Sequence, residues 1–211
     1  MIQAFGLPEH LYPSVVPCTQ VIGALTSAAA TELGLAPGIP VIAGGEDTSS
    51  AGLAAGAVRP GLAFLSLGTA GTLYVTESEP LVHPQLLTFL HVLPHQYLFG
   101  GSMSAIGASL AWCRKLLGEQ HSYEDLIQLA AQSEAGAGQV LFLPYLSGEL
   151  QPINDGYARG VFFGLSMSTG PAQLVRAVLE GTAFAIAHNL EYAERLGAPV
   201  VELRAMGWPI A

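Results

Sequence analysis

Two short stretches carry side chains that could do chemistry. Residues 41–52 read VIAGGEDTSSAG and residues 65–72 read LSLGTAGT. In the first, a β-branched run ends in Gly44 and Gly45, and the acidic pair Glu46–Asp47 precedes Thr48, Ser49 and Ser50. Paired glycines let another group approach the backbone closely. A carboxylate at that point can cap the helix that begins there, as Asp commonly does. It can also stand at the C-terminal edge of a sheet, where α/β proteins place ligands, and take a proton from a substrate hydroxyl. Asp47 suits both roles, and spacing alone does not separate it from Glu46. In the second stretch, Gly68-Thr69-Ala70-Gly71 follows a strand-like run and offers amides and a hydroxyl suited to phosphate oxygens. The same glycines suit a plain hairpin turn, and no lysine follows as in a Walker-type loop. An acid on one stretch and a phosphate-type turn on the other point together to phosphoryl transfer to a hydroxyl.

The elements that must position these residues alternate between strand and helix patterns. Residues 39–45, 62–68, 72–76, 96–101, 139–146, 160–166 and 200–206 read as strands. Residues 48–57, 104–117, 122–132 and 171–196 read as helices, and 25–40 as a short helix followed by a glycine-containing turn. The segment 171–196 is the clearest, with Leu174, Val175, Val178, Leu179, Ala183, Ile186, Ala187 and Leu190 at helical spacing and Pro171 in the first turn. Neighbouring strands over 62–76 predict a hairpin inside a partly parallel sheet, so the class is mixed α/β. No fixed-period repeat, low-complexity tract or linker divides the 211 residues.

Composition bounds the partners. The chain is 51% hydrophobic and 11% charged, enough apolar matter for a large core. Seven Lys and Arg against 16 Asp and Glu give a net charge of −9, which argues against nucleic acid and anionic membranes as partners. No apolar run approaches the roughly 20 residues of a spanning helix. The start MIQAFGLPEH lacks a basic region and a long apolar core, so the reading is cytoplasmic. Cys18 and Cys113 lie far apart without metal-type spacing and read as buried free thiols.

Other candidates are weaker, and the reading assigns no metal site. His91 and His95 sit four apart, but Pro94 lies between them, and HVLPHQYLF reads as strand, exposed turn, strand. His83 beside Pro84 reads as loop, and His188 as a solvated or half-buried imidazole. Ser147 lacks the elbow pattern of a hydrolase nucleophile. Trp112, spaced from Ala108 and Leu116, reads as ordinary core.

From about Gly23 onward the chain resembles the C-terminal domain of FGGY-family carbohydrate kinases, most closely their xylulokinase branch. The stretch LGLAPGIPVIAGGEDTSSAGLAAGAVRPGLAFLSLGTAGTLYV is similar to that family's catalytic-acid and second phosphate segments. GSMSAIGASLAWCRKLL (101–117) is similar to the helix beside the nucleotide. LFLPYLSGELQPINDGYARGVFFGLSMSTGPAQLVRAVLEG (141–181) resembles the C-terminal signature, with Gly160, Phe162, Gly164, Leu165, Gln173, Leu174, Ala177 and Glu180 at its spacing.

The resemblance implies a ribonuclease-H-like, actin-like ATPase domain with a mixed sheet and flanking helices, in one C-terminal-type unit over 1–211. It implies ATP and Mg²⁺ and a sugar or polyol substrate. Asp47 matches the catalytic base, which also helps hold the sugar, and Thr48 lies at a sugar-contacting position. Thr69, between Gly68 and Ala70, matches the loop facing the ATP phosphates. Gly107 matches a glycine that lets a helix approach the nucleotide, and Gly207 the start of the adenosine turn. Glu149 and Asn154 fall in a loop near the cleft. Several positions depart from the pattern: Glu46 replaces a usual glycine, Thr48 an Asn or Gln, Leu150-Gln151 an Arg-Thr or Arg-Ser, and Trp208 a glycine.

On this reading the family's N-terminal domain is absent and the C-terminal end is truncated. A separate N-terminal kinase domain or a homodimer is then the expected protein partner. The chain alone is expected not to turn over sugar, and to leave apolar surface uncovered along 171–196. The rival reading is a non-catalytic, actin-like-fold binding or regulatory fragment, which has no chemical use for Asp47 and Thr69 together.

Overall fold

The computed structural model describes residues 2–207, and the reading of Trp208 and the segment to Ala211 lies outside them. In chain order come Val21–Ala24 (β1), Ser27–Leu33 (α1), Pro40–Ile42 (β2), Asp47–Ala54 (α2), Leu62–Leu67 (β3), Gly71–Glu77 (β4) and Leu87–Leu90 (β5). Tyr97–Met103 (β6), Gly107–Leu117 (α3), Tyr123–Ala130 (α4), Leu141–Leu143 (β7), Val161–Phe163 (β8), Pro171–Arg195 (α5) and Glu202–Gly207 (β9) follow.

Five strands form the main sheet in the order β5-β6-β4-β3-β9. β5, β6, β4 and β3 are antiparallel neighbours, and β9 joins β3 in parallel with Leu67 opposite Gly207. The sheet is mixed, as the residue patterns predict. Residues Leu62–Leu65 and Leu73–Thr76 are buried without alternation, because helices cover both faces. One face packs Leu65, Leu73, Val75, Phe99 and Met103 with Ala185 and Ala193 of α5. The other packs Leu62, Phe64, Tyr74 and Leu98 under α2, with Tyr74 edge-on to Phe89 at 5.4 Å. A third cluster joins α3, α4, β7 and α5 through Cys113, Leu126, Phe142, Val175 and Val178.

α5 begins with Pro171 at its first turn, and Gln173 Oε1 accepts the Gly170 N–H at 3.1 Å. Its buried face runs Val175, Val178, Thr182, Ala185, Asn189 and Ala193, spaced three or four apart. Ala183, placed on that face by the sequence reading, is instead exposed. The uncovered apolar surface on α5 is Phe184, 62% exposed. With Leu141, Leu143 and His188 it lines a cleft of about 270 Å³.

Two strands escaped the sequence reading, the short β1 and β5. The strand read over 39–45 shrinks to β2. It pairs with β1 in a separate ribbon, so it is not the sheet strand whose edge was to carry Asp47. Both ribbon strands are exposed throughout, whereas the central strands of the main sheet are buried.

The helix that follows is capped differently from the simplest reading of Asp47. Glu46 is the N-cap, accepting the Ser49 N–H on Oε2 at 3.0 Å, and Asp47 is the first helical residue. Ser49, itself buried, donates its hydroxyl to Leu90 O at 2.7 Å. At the far end Arg204 donates to Ala55 O and Gly56 O at 3.1 and 3.0 Å, suited to the negative end of a helix. α2 is therefore fixed at both ends by polar contacts to the sheet strands and their ends.

Burial pushes the Glu46 carboxyl upward, but the Ser49 and Thr48 N–H groups at the helix start outweigh this and hold it well below the ordinary carboxylate range. Since the folded value lies below the ordinary 4.5, the stabilisation is present above about pH 4.5 and lost as pH falls toward 2. Hydrogen exchange of the α2 amides should accelerate across that window, and Glu46→Gln should abolish the acceleration. In α5, a Cβ on Gly181 would collide with the Phe142 carbonyl oxygen of β7. Gly181→Ala should destabilise the fold by about 1–3 kcal/mol in urea titration.

Candidate active site

The connection from β3 to β4 is Gly68-Thr69-Ala70, all exposed. The Gly68 N–H donates to Ala70 O at 2.9 Å and closes the turn. α3 starts directly against it: Gly107 N–H donates to Gly68 O at 3.0 Å, and Ala108 N–H to Thr69 O at 3.1 Å. A Cβ on Gly107 would stand 2.5 Å from Gly68 O, so this approach requires glycine. Among the described residues, the Thr69 and Ala70 N–H groups make no hydrogen bond, and both residues are exposed. Fewer amides are free than the four-residue run suggests, because the Gly68 N–H closes the turn, while α3 occupies the Gly68 and Thr69 carbonyls.

Gly207 completes this end of the sheet. It lies opposite Leu67 with φ +144°, and a Cβ there would collide with Leu67 O. Gly68, Thr69, Ala70, Gly107 and Gly207 thus gather at the C-terminal ends of the parallel pair β3–β9, where α/β sheets present ligand sites.

A cleft of about 640 Å³ opens beside the turn, within the range that holds small ligands. Thr69, Gly107, Ala108 and Leu110 line it with Trp112 and Lys115 of α3 and Tyr123 and Ile127 of α4. The sequence reading took Trp112 for core and did not single out Lys115, Tyr123 or Ile127. Trp112 does both jobs: it stacks on Phe142 and Phe162 at 5.9 and 6.2 Å while bordering the cleft. The signal for the rest is their place on helices that converge only in three dimensions. Arg114 fixes that convergence, donating to His121 O and Glu119 O at 2.5 and 2.7 Å and lying 5.3 Å over the Tyr123 ring. Ser122 and Asp125 then start α4 with a reciprocal cap.

Asp47 and Thr48 belong to a second group, at the start of α2 on the Phe64–Tyr74 face of the sheet. Asp47 is exposed, and its Oδ1 accepts the Thr48 N–H at 2.7 Å and lies 3.4 Å from the Thr48 hydroxyl. Among the described residues no hydrogen bond joins this group to the Thr69 turn; the sheet itself connects them. Glu46 puts a second carboxylate beside Asp47.

The loop containing Glu149 and Asn154 sits along the β6 edge. Glu149 is buried and accepts the Ser104 and Leu150 N–H groups at 2.9 and 2.7 Å, while Asn154 is exposed and bonds Gln85 O at 3.3 Å. His95 lies in an exposed turn, as read, but His91 does not. The His91 Nε2–H faces Ala57 O at 3.1 Å and Nδ1 accepts the Leu93 N–H at 2.9 Å, so the ring is a buried strut. Burial pushes its pKa down, partly offset by the Ala57 carbonyl. Among the described residues no helix is long and apolar enough to cross a membrane.

Comparison with known proteins matches this architecture to one family. Residues 63–207 match the FGGY family of carbohydrate kinases, C-terminal domain, and residues 1–54 match the N-terminal domain of the same family. The boundary between the two matches falls after α2, so Asp47 lies in the N-terminal match and Thr69 in the C-terminal one. A xylulose kinase of Escherichia coli (strain K12) is 37% identical over 199 residues, 93% of this chain and 41% of that protein. A gluconokinase of Bacillus subtilis (strain 168) is 27% identical over 95% of this chain and 41% of its own length. A crystal structure of a xyloylose kinase from Brucella ovis superposes with a TM-score of 0.89 at 34% identity, covering 98% of this chain and 43% of that one. The chain thus spans about two fifths of the length of the relatives it matches. With a mixed actin-like sheet, an α3 docked on the phosphate-type turn and a family match covering most of its length, the chain belongs to the FGGY family of carbohydrate kinases.

Proposed function

We propose that the chain supplies the phosphate-binding turn and the general base of an ATP-dependent sugar kinase acting on a ketose or polyol of the xylulose type. The carrying observation is the α3 start docked on Gly68-Thr69 beside a cleft of nucleotide size. The unpaired, exposed Thr69 and Ala70 amides suit phosphate oxygens, and Trp112 with Tyr123 offers apolar and aromatic surface to a base. The xylulose kinases among the relatives support the sugar class.

In this account Asp47 accepts the proton of the acceptor hydroxyl as its oxygen attacks the γ-phosphorus. The bond from that phosphorus to the β–γ bridging oxygen breaks, giving a sugar phosphate and ADP. The protein's work is positioning and proton removal, because phosphoryl transfer passes through a loose transition state. A Mg²⁺ ion carried by the phosphates would neutralise their charge, and the Glu46 carboxylate beside the base is of the donor type such an ion takes together with phosphate and water. Thr48 flanks the base and contacts the sugar, and Gly207 lets the β9 end approach the adenosine. A further kinase domain supplies the opposite wall of the cleft, and the reaction belongs to that whole protein, placed in the cytoplasm.

Asp47→Ala should lower kcat of the whole protein by about 10²–10⁴-fold while leaving ATP affinity unchanged. Turnover of Asp47→Ala equal to that of the parent would remove Asp47 from the chemistry. Gly107→Ala should do the reverse of that split, weakening ADP binding at least tenfold in equilibrium dialysis because its methyl group pushes α3 off the turn.

A further inference from the structure

Strand β6 outlasts its neighbour. β5 pairs with it only as far as Gly100, yet β6 runs on through Gly101, Ser102 and Met103 toward the turn that opens α3. The loop around residues 147–156 takes over that edge. Gln151 N–H donates to Ser102 O at 3.0 Å, and Ser102 N–H returns to Gln151 Oε1 at 2.9 Å. Asn189 of α5 holds the Gln151 carbonyl at 2.9 Å.

Glu149 extends the same edge by two residues. Its Oε1 accepts the Ser104 N–H at 2.9 Å and the Leu150 N–H at 2.7 Å. The side chain is 5% exposed, and none of the three ion pairs among the described residues includes it. A carboxylate buried without a cation depends on such N–H donors, and charge-assisted hydrogen bonds are about twice as strong as neutral ones. Three residues beyond Ser104, Gly107 and then Ala108 donate to the Gly68 and Thr69 carbonyls. The loop is itself braced by the reciprocal Glu149–Asp155 backbone pair at 2.8 and 3.0 Å.

We infer that Glu149 is a positioning residue for the phosphate end of the site: by holding the Ser104 N–H it sets the turn that delivers α3 to Gly68-Thr69. Its effect on ligand binding rests on the nucleotide reading of that turn; its effect on the turn does not. A short acceptor at this point pairs the Ser104 N–H where β5 no longer reaches.

The test compares Glu149→Ala, Glu149→Gln and Glu149→Asp in the 211-residue chain, with Phe89→Ala in β5, packed on Tyr74 on the α2 face of the sheet, as a stability control. Amide hydrogen exchange at Ser104–Ala108 and ADP affinity by equilibrium dialysis are the readouts. Glu149→Ala should speed exchange at Ser104, Gly107 and Ala108 at least tenfold relative to β3 and β4, and weaken ADP binding at least fivefold. Glu149→Gln keeps an acceptor oxygen and should restore most of both losses, whereas the shorter Glu149→Asp should fall between. Exchange at Ser104–Ala108 no faster than in the control, or Gln as damaging as Ala, overturns the inference. Faster exchange in Glu149→Ala together with a parent chain that binds no ADP overturns the nucleotide reading instead, and with it the functional half of the inference.

Discussion

The rest of the site depends on two hydrogen bonds, Gly107 N–H to Gly68 O and Ala108 N–H to Thr69 O. They direct the first amides of α3 at carbonyls of the β3–β4 turn, so helix and turn satisfy each other. The first four N–H groups of a helix lack intrahelical partners, and here two of them find partners in the turn. The consequence is geometric: the turn cannot move without α3, and α3 carries Trp112 and Lys115 to the cleft wall. Glycine at 107 is the condition for this approach. The unpaired amides of Thr69 and Ala70 are what the arrangement leaves for a ligand.

On the other face of the sheet, α2 meets a different constraint. It is eight residues long, too short to be stable alone, and its orientation rests on contacts at its two ends. Glu46 caps the start, Ser49 reaches Leu90 O, and Arg204 gathers the last carbonyls. Thr76 and His91 both donate to Ala57 O just beyond the helix, at 2.8 and 3.1 Å. Because Glu46 does the capping, Asp47 keeps an exposed carboxylate oxygen that cap duty would occupy. The anchors come from β4, β5, β9 and His91 just after β5, so the helix start is referred to the same sheet that ends in the Thr69 turn.

Much of this was legible in the residues. The β3–β4 hairpin, α3, α4 and α5 lie within a few residues of their predicted spans, because glycine, proline and apolar periodicity mark them locally. The sheet order was not legible: β5 and β1 are short, and pairing β3 with β9 joins residues about 140 apart in the chain. The phosphate-type turn was readable as a glycine run, but not that α3 consumes part of its hydrogen-bonding capacity. Glu46 and Asp47 were readable as a pair, while the division of roles between them is set by backbone torsion at the helix start. His91 and Glu149 show the limit most clearly. Each is a polar residue in a loop-like sequence, and each is buried because a distant backbone group needs a partner.

The most direct measurement is a crystal structure of the whole protein with a non-hydrolysable ATP analogue and a ketose bound. The account predicts the γ-phosphate against the Thr69 and Ala70 amides, the adenine in the Trp112–Tyr123 cleft, and a sugar hydroxyl within hydrogen-bond distance of Asp47. Phosphates bound away from the Thr69 turn, or a sugar whose reacting hydroxyl contacts no part of Asp47, would contradict it.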